Sequence, residues 1–307
     1  MTLDLVGFGE AMVLVTPPAG QSLATTASAD LHVAGAELNV CAAVASLGLR
    51  AAFATRVGAD PLGDRVRADA QRLGIETRLI VAETSYPTGV FFKEVQPDGE
   101  RRVYYYRAGS AAAHMDVVDA DRVLATRPRM IVVSGITMAL GPGPRAAVRH
   151  LLAGSPAIAL DPNLRPALGD VAAQAAALRD LLPSVDVLLL GVDEAVHLFG
   201  TADPAAVFAA ATAAGVGLTV LKAGPAGCYI ETAGRIVHLP TAATRVVDPV
   251  GAGDAFAGGF LTGYLSGRDP LACAQLGTAM AARVVATTGD TDGLPDTTQA
   301  AAMLGYG

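Results

Sequence analysis

Short apolar runs and amphipathic stretches alternate along most of the chain. Leu3 to Gly7 is an apolar run ending in glycine, Met12 to Val15 a second and Ala51 to Val57 a third; each reads as a strand. Glu37 to Leu47 is apolar on nearly every side and stops at Gly48, the pattern of a buried helix with a glycine stop signal. Leu62 to Leu73 repeats with the helical period and stops at Gly74. Further strands are predicted at Met130 to Ser134, Ala157 to Leu160, Val185 to Leu190 and Leu218 to Leu221. Helices such as Pro144 to Ala153 and Ala172 to Leu182 lie between them. This alternation favours a mostly parallel sheet covered by helices on both faces. Near the end come a hairpin, Cys228 to Glu231 and Ile236 to Leu239 turned at Gly234, and helices over about Asp254 to Leu265 and Pro270 to Ala286.

One region breaks the alternation. Pro87 to Val95 and Arg101 to Arg107 are β-rich and flank Gln96-Pro97-Asp98-Gly99-Glu100. Proline presets φ and glycine supplies positive φ, so this is a hairpin turn. The hairpin is either a lid over a site or an edge of the main sheet.

Composition narrows the class. The chain has 307 residues, enough for one large α/β domain or a domain with an appendage. It carries a net charge of −7 and only 17% charged residues, so nothing supplies a basic face for nucleic acid. The N-terminal stretch has no basic region of the signal-peptide kind. The longest apolar stretch, Val207 to Leu221, is broken by Thr212, Gly215, Gly217 and Thr219 and is too short to span a bilayer. Cys41, Cys228 and Cys273 are far apart and form no CxxC pair, so each is expected to be a small buried hydrophobe. A soluble cytoplasmic protein with no membrane or nucleic-acid partner is expected. Among 22 cationic residues the only lysines are Lys93 and Lys222.

That scarcity bears on phosphate chemistry. Neither lysine follows a glycine and precedes Ser or Thr, so a Walker loop is absent. Gly7-Phe8-Gly9 and Gly251-Ala252-Gly253 both lack the third glycine of a dinucleotide fingerprint, which argues against hydride transfer. The segment Val246 to Phe260 instead runs from a β-like start, through Pro249 and a glycine turn, into a helix. Backbone N–H groups at such a helix N-terminus favour anions, so the loop can hold a phosphate without lysine. Asp254 beside it has two readings: a helix N-cap, or a general base next to a transferring phosphoryl group.

Asp248-Pro-Val-Gly-Ala-Gly-Asp254 resembles the C-terminal signature of the ribokinase-like, or PfkB, family of sugar kinases. Gly35-Ala36-Glu37-Leu38-Asn39 resembles the family's N-terminal motif, and Lys222-Ala-Gly224-Pro-Ala-Gly227 its nucleotide-side motif. Within the family, Tyr104 to Ala112 and Asp161-Pro162-Asn163-Leu164-Arg165-Pro166 look like 2-keto-3-deoxygluconate kinases. The resemblance implies a single three-layer αβα domain over residues 1–307, with a small β lid from about 12–33 and 86–108. It implies an ATP- and Mg²⁺-dependent kinase acting on the terminal hydroxyl of a sugar acid. Two arginines, Arg107 and Arg165, suit the acid's carboxylate. Tyr105, on the strand face of Arg107, holds a hydroxyl; Gly35 allows close approach and Asn39 offers hydrogen bonds. Asp254 is then the base, kept ionised by the helix dipole, and the amides of Gly251, Ala252 and Gly253 stabilise the transferring group. Asp290 aligns with a second substrate-side carboxylate. Lys222, Gly224 and Gly227 lie on the nucleotide side, with Gly251 and Gly253. Asp248 and the Val250 carbonyl are candidates for a monovalent cation such as K⁺, as in many relatives.

One departure stands out. The family usually continues the strand ending near Leu190 with Asn-x-x-Glu, which helps organise Mg²⁺; here it reads Gly191-Val192-Asp193-Glu194. Glu194 is kept as an indirect Mg²⁺ residue. Either water or Asp193 replaces the asparagine, or metal handling is weakened. The rival functions are another kinase of the family, such as a fructokinase or a 5-dehydro-2-deoxygluconokinase, and a non-catalytic sugar- or nucleotide-binding regulator. The exposed lid edge is a candidate for pairing with a second subunit.

Overall fold

Alternate residues of the central strands feed two different cores. In the computed structural model, which describes residues 2–18, 20–95, 101–154 and 156–305, Ile131 and Val133 pack into one core while Met130 and Val132 pack into the other. Leu188 and Leu190 divide from Val187 and Leu189 in the same way. A strand buried on both faces needs helices on both sides, and the chain supplies them. Helices Val117–Ala125, Pro142–Leu152, Val171–Arg179, Val192–Phe199 and Pro204–Ala213 cover one face. Helices Ala36–Ser46, Pro61–Arg72, Ala252–Leu265 and Pro270–Val284 cover the other.

The strands are β1 (Leu5–Phe8), β2 (Met12–Thr16), β3 (Asp30–Ala34), β4 (Ala51–Gly58), β5 (Ile80–Glu83), β6 (Val90–Val95), β7 (Arg101–Tyr106), β8 (Met130–Ser134), β9 (Ala157–Asp161), β10 (Val187–Gly191), β11 (Leu218–Lys222), β12 (Cys228–Thr232) and β13 (Arg235–Leu239). The main sheet runs β13-β12-β11-β10-β9-β8-β1-β4-β5, parallel from β5 to β11 and closed by the antiparallel β12 and β13. The other four strands form a separate sheet, β3-β2-β6-β7. The β6–β7 hairpin therefore belongs to a lid and not to the edge of the main sheet. Its predicted turn, 96–100, lies outside the described residues.

Differences from the sequence reading have local causes. The apolar run Val207–Leu221 is two elements: helix Pro204–Ala213 and strand β11, split at Gly215 and Gly217. The helix predicted to reach Leu182 stops at Arg179, and a short 3₁₀ turn around Pro183 follows. Strand β3 starts with three exposed residues and is fixed only by pairing with β2, so periodicity alone does not define it. The three cysteines are free and buried. Among the described residues no helix is long and apolar enough to cross a membrane.

Candidate active site

The last residues of three adjacent strands, Asp161 of β9, Gly191 of β10 and Lys222 of β11, line one cavity of about 730 Å³. Ligands of open α/β sheets bind at this carboxyl edge, where strand ends deliver side chains and helices begin. The lid roofs the cavity with Met12, Ala34, Phe91 and Tyr105. The Phe91 and Tyr105 rings stack 5.6 Å apart on the lid's inner face.

Helix Ala36–Ser46 carries Asn39 to the floor of the cavity. Its first turn is anchored by buried Glu37, whose Oε1 accepts from the hydroxyls of Ser134 at 2.6 Å and Thr137 at 2.7 Å. The Asn39 amide donates to Asp254 at 2.8 Å and to Asp290 at 3.2 Å. Its Oδ1 is buried and has no hydrogen-bond partner. Asp254 is the third residue of its helix and is not the N-cap. That position is Gly251, at φ +78°, with no side-chain cap. A Cβ there would lie 2.8 Å from Asp290 Cα, so glycine is required twice over, by the left-handed backbone and by the close approach.

Burial pushes the Asp254 carboxyl up to about 8 in the ligand-free site. The Asn39 amide opposes the shift, the nearby carboxylates of Asp161 and Asp290 add to it, and Lys222 opposes it. The expectation that the helix dipole keeps Asp254 ionised is thus corrected: desolvation outweighs a half-charge at the helix end. Asp290 is likewise raised by burial. The Ala252 amide donates to the Pro249 carbonyl at 3.3 Å, and Ala252 does not line the cavity, so of the three predicted amides only those of Gly251 and Gly253 adjoin the open space.

Lys222 is the cation at the centre of the site. Its Nζ is 2.5 Å from Asp161 Oδ2, and a Cβ on Gly253 would lie 3.8 Å from it. Burial alone would lower its pKa, but the carboxylates of Asp161 and Glu194 hold it above the ordinary value. Glu194 accepts the Gly191 amide at 2.7 Å and the Leu164 amide at 3.0 Å, and burial raises its carboxyl. Gly191 has φ −81°, and a Cβ there would meet the Glu194 carboxylate only at 3.4 Å, so the backbone does not demand glycine. Asp193 is exposed and lines the cavity. Asp161 went unassigned in the sequence, although an acidic residue closing a predicted β-strand was a usable signal; its partner Lys222 lies 61 residues away and only the fold brings the two together.

Arg107 follows the end of β7 and is almost fully buried, its guanidinium 5.7 Å from the Tyr105 ring centroid. It is ion-paired with the buried Glu10. Arg165 also lines the cavity; its backbone is clasped by the Gln174 amide, at 3.2 and 2.8 Å. Among the described residues no ion pair holds the Arg165 side chain. Gly35, Gly224 and Val250 also line the cavity. Gly227 does not: at φ +98° it packs on the backbone of Leu239 to Thr241, so its part is structural. Asp248 also lies outside the lining. Its carboxylate faces Lys93 Nζ at 3.4 Å and accepts the Val250 amide at 3.1 Å, so a lysine ammonium already stands beside it. Among the described residues no cluster of three or more acidic, His or Cys side chains could hold a metal by itself.

Comparison with known proteins gives the family. The pfkB family carbohydrate kinase model matches residues 2–297, and the chain belongs to that family. It is 33% identical over 306 residues to a 2-dehydro-3-deoxygluconokinase of Thermoproteus tenax, covering 98% of this chain and 94% of the relative. It is 32% identical to a 2-dehydro-3-deoxygluconokinase of Bacillus subtilis, covering 99% and 96%. The crystal structure of a PfkB protein from Polaromonas sp. JS666 superposes with a TM-score of 0.86 at 30% identity, over 99% of both chains. The three-layer fold with its lid is the ribokinase-like one, and the protein is a sugar kinase.

Proposed function

We propose that the protein phosphorylates the terminal hydroxyl of 2-keto-3-deoxygluconate (2-dehydro-3-deoxygluconate), using ATP. The observation that carries this reading is the pairing, in one cavity, of a buried Asp254 on its floor with two arginines, Arg107 and Arg165, on its walls. A neutral hexose offers no partner for two guanidinium groups, whereas a carboxylate takes their paired N–H donors. The names of the two curated relatives support the same substrate.

In this reading the sugar acid lies under Phe91 and Tyr105, with its carboxylate toward Arg107 and Arg165. Tyr105 and Asp290 take hydroxyls, the Asn39 amide holds Asp254 and Asp290 in place beside them, and Gly35 leaves room for the substrate beside the lid. Asp254 removes the proton from the terminal hydroxyl. The freed oxygen attacks the γ-phosphorus, the bond to the β–γ bridging oxygen breaks, and ADP leaves with the bridging oxygen's charge. A base with a pKa near 8 suits the task, because it is partly ionised at neutral pH yet basic enough to hold the proton. The amides of Gly251 and Gly253 and the Lys222 ammonium face the transferring group. Gly224 borders the nucleotide side. When bound, Mg²⁺ would supply neutralisation of the charge on the nucleotide phosphates. Glu194, with both oxygens engaged by amides, would reach it through water, the usual habit of an ion that dehydrates reluctantly.

We also read the outer face of the lid, where Tyr106 is 70% exposed and Tyr104 42%, as the surface through which two copies of the chain pair. The reaction is assigned to the cytoplasm, a compartment that suits three free cysteines.

The test is a sugar panel assayed by ADP release: 2-keto-3-deoxygluconate, its C4 epimer, 5-dehydro-2-deoxygluconate, fructose and ribose. The keto-deoxy acids should exceed the neutral sugars in kcat/KM by at least about a hundredfold, a difference of roughly 2.7 kcal/mol. Preference for fructose would overturn the substrate reading.

A further inference from the structure

We infer that Glu10 is a positioning residue that aims Arg107 into the cavity and pins the pivot of the lid. The chain crosses between the main body and the lid sheet at four places: between β1 and β2, after β3, before β6 and after β7. Glu10 occupies the first crossing and meets the other three. After β7, its carboxylate is ion-paired with Arg107 and accepts the Ser110 hydroxyl at 2.5 Å. Before β6, its Oε1 lies where a Cβ on Gly89 would approach to 2.8 Å. After β3, its carbonyl lies 2.5 Å from where a Cβ on Gly35 would sit. The Glu10 side chain is 1% exposed and does not line the cavity, whereas Arg107 does.

The physical consequence is preorganisation. An arginine on a lid edge ordinarily loses much rotamer freedom when it grips a ligand. Here one face of the guanidinium is already fixed by a buried carboxylate, so the remaining donors are aimed before the sugar arrives. The same pair ties the end of β7 to the short link between β1 and β2, so aiming the arginine and seating the lid are one contact. The inference rests on the reading of the cavity as a sugar site, but not on which sugar fills it.

Glu10→Gln keeps the side chain's size and removes its charge. At a temperature well below unfolding, the variant should raise the sugar KM by about tenfold, a loss of about 1.4 kcal/mol, with the ATP KM unchanged. Adding Arg107→Ala should then cost far less in the Glu10→Gln background than in the parent protein, because the two act through one contact. Additive losses would overturn the inference, as would an equal rise in both KM values. A second arm needs no turnover. By hydrogen exchange of the ligand-free protein, Val90–Val95 and Arg101–Tyr106 should exchange faster in the variant while Met130–Ser134 stays unchanged. Uniform acceleration, or none, would count against a pivot role. If Glu10→Gln fails to fold, Ser110→Ala should give the same pattern at smaller size, and the absence of that pattern would overturn the inference. A parent protein that ignores every sugar acid would defeat the substrate proposal, while the exchange arm still decides the role of Glu10.

Discussion

Asp254 condenses the conflict between stability and chemistry in this molecule. Its carboxyl is raised from 3.8 to about 8, first by burial. At pH 6 the folded protein therefore holds a proton there that the unfolded chain has released. The contribution to stability is full below about pH 4 and is lost as pH rises through about 8. Asp254→Asn should accordingly be the more heat-stable protein at pH 8, by about 2 °C, since about 1 kcal/mol shifts the melting temperature by roughly 2–4 °C at 150–250 residues and by less in a longer chain. Its advantage should shrink toward pH 5. Turnover should fall by about 10²–10⁴-fold; near-normal turnover would remove Asp254 from the base role. In the parent protein kcat/KM should climb with pH toward a plateau above about 8. Asn39→Ala, which deletes the amide holding that carboxyl down, should move the climb to higher pH. Gly191 allows the opposite experiment, adding a group. Its backbone accepts any residue, so Gly191→Asn should fold normally. If the missing amide weakens metal handling, titration of activity with Mg²⁺ should reach half-maximum at lower concentration in the variant. An unchanged midpoint would mean that Asp193 or water already fills the role.

At the scale of elements, two helices decide whether Asn39 meets Asp254. Ala36–Ser46 and Ala252–Leu265 pack closely because small residues face each other: a Cβ on Gly258 would sit 2.3 Å from the Ala43 Cβ. Gly258→Ala should force the helices apart, costing about 1–3 kcal/mol of stability by overpacking. It should also lower kcat while leaving the ATP KM unchanged, since the strain falls on the contact between Asn39 and the base. Thermal melts together with steady-state kinetics check both halves. These elements were largely legible beforehand, because the short apolar runs of β8 to β11 alternate with helical stretches and the helices end at clear stop signals such as Gly48 and Gly74. The lid was legible only in part. Strand β3 pairs with β2 across a long connection, and half-exposed strands leave weak alternation. Helix Pro204–Ala213 and β11 merged into one apolar run because the helix's exposed face is built largely of alanine, Ala205, Ala206, Ala209 and Ala213, so no polar stripe marks its period.

On the scale of the whole molecule, the sheet brings residues from four distant stretches into one cavity: Asn39, Arg107, Arg165 and Asp254. Arg107 is offset by Glu10, so Arg165 should supply more of the net attraction for a carboxylate. Arg165→Ala should reduce kcat/KM for keto-deoxy acids by at least about tenfold more than for neutral hexoses, measured on the same sugar panel. Equal losses would make the arginine structural.

The sequence by itself determined the layered fold, the family and nearly all of the residues that gather at the site, because periodicity and short motifs are local properties of the chain. Its scarcity of lysine also turned attention from a lysine-bearing phosphate loop to the glycine turn before Ala252–Leu265. Only the tertiary structure decided the charge states and the partners. Asp254 is raised because the fold buries it beside Asp161 and Asp290. Asp248 is matched by Lys93 and Arg107 by Glu10, across 155 and 97 residues of chain. Gly227 serves a strand and not the cavity. Desolvation and ion pairing depend on what lies nearby in space, and no pattern along the chain specifies that.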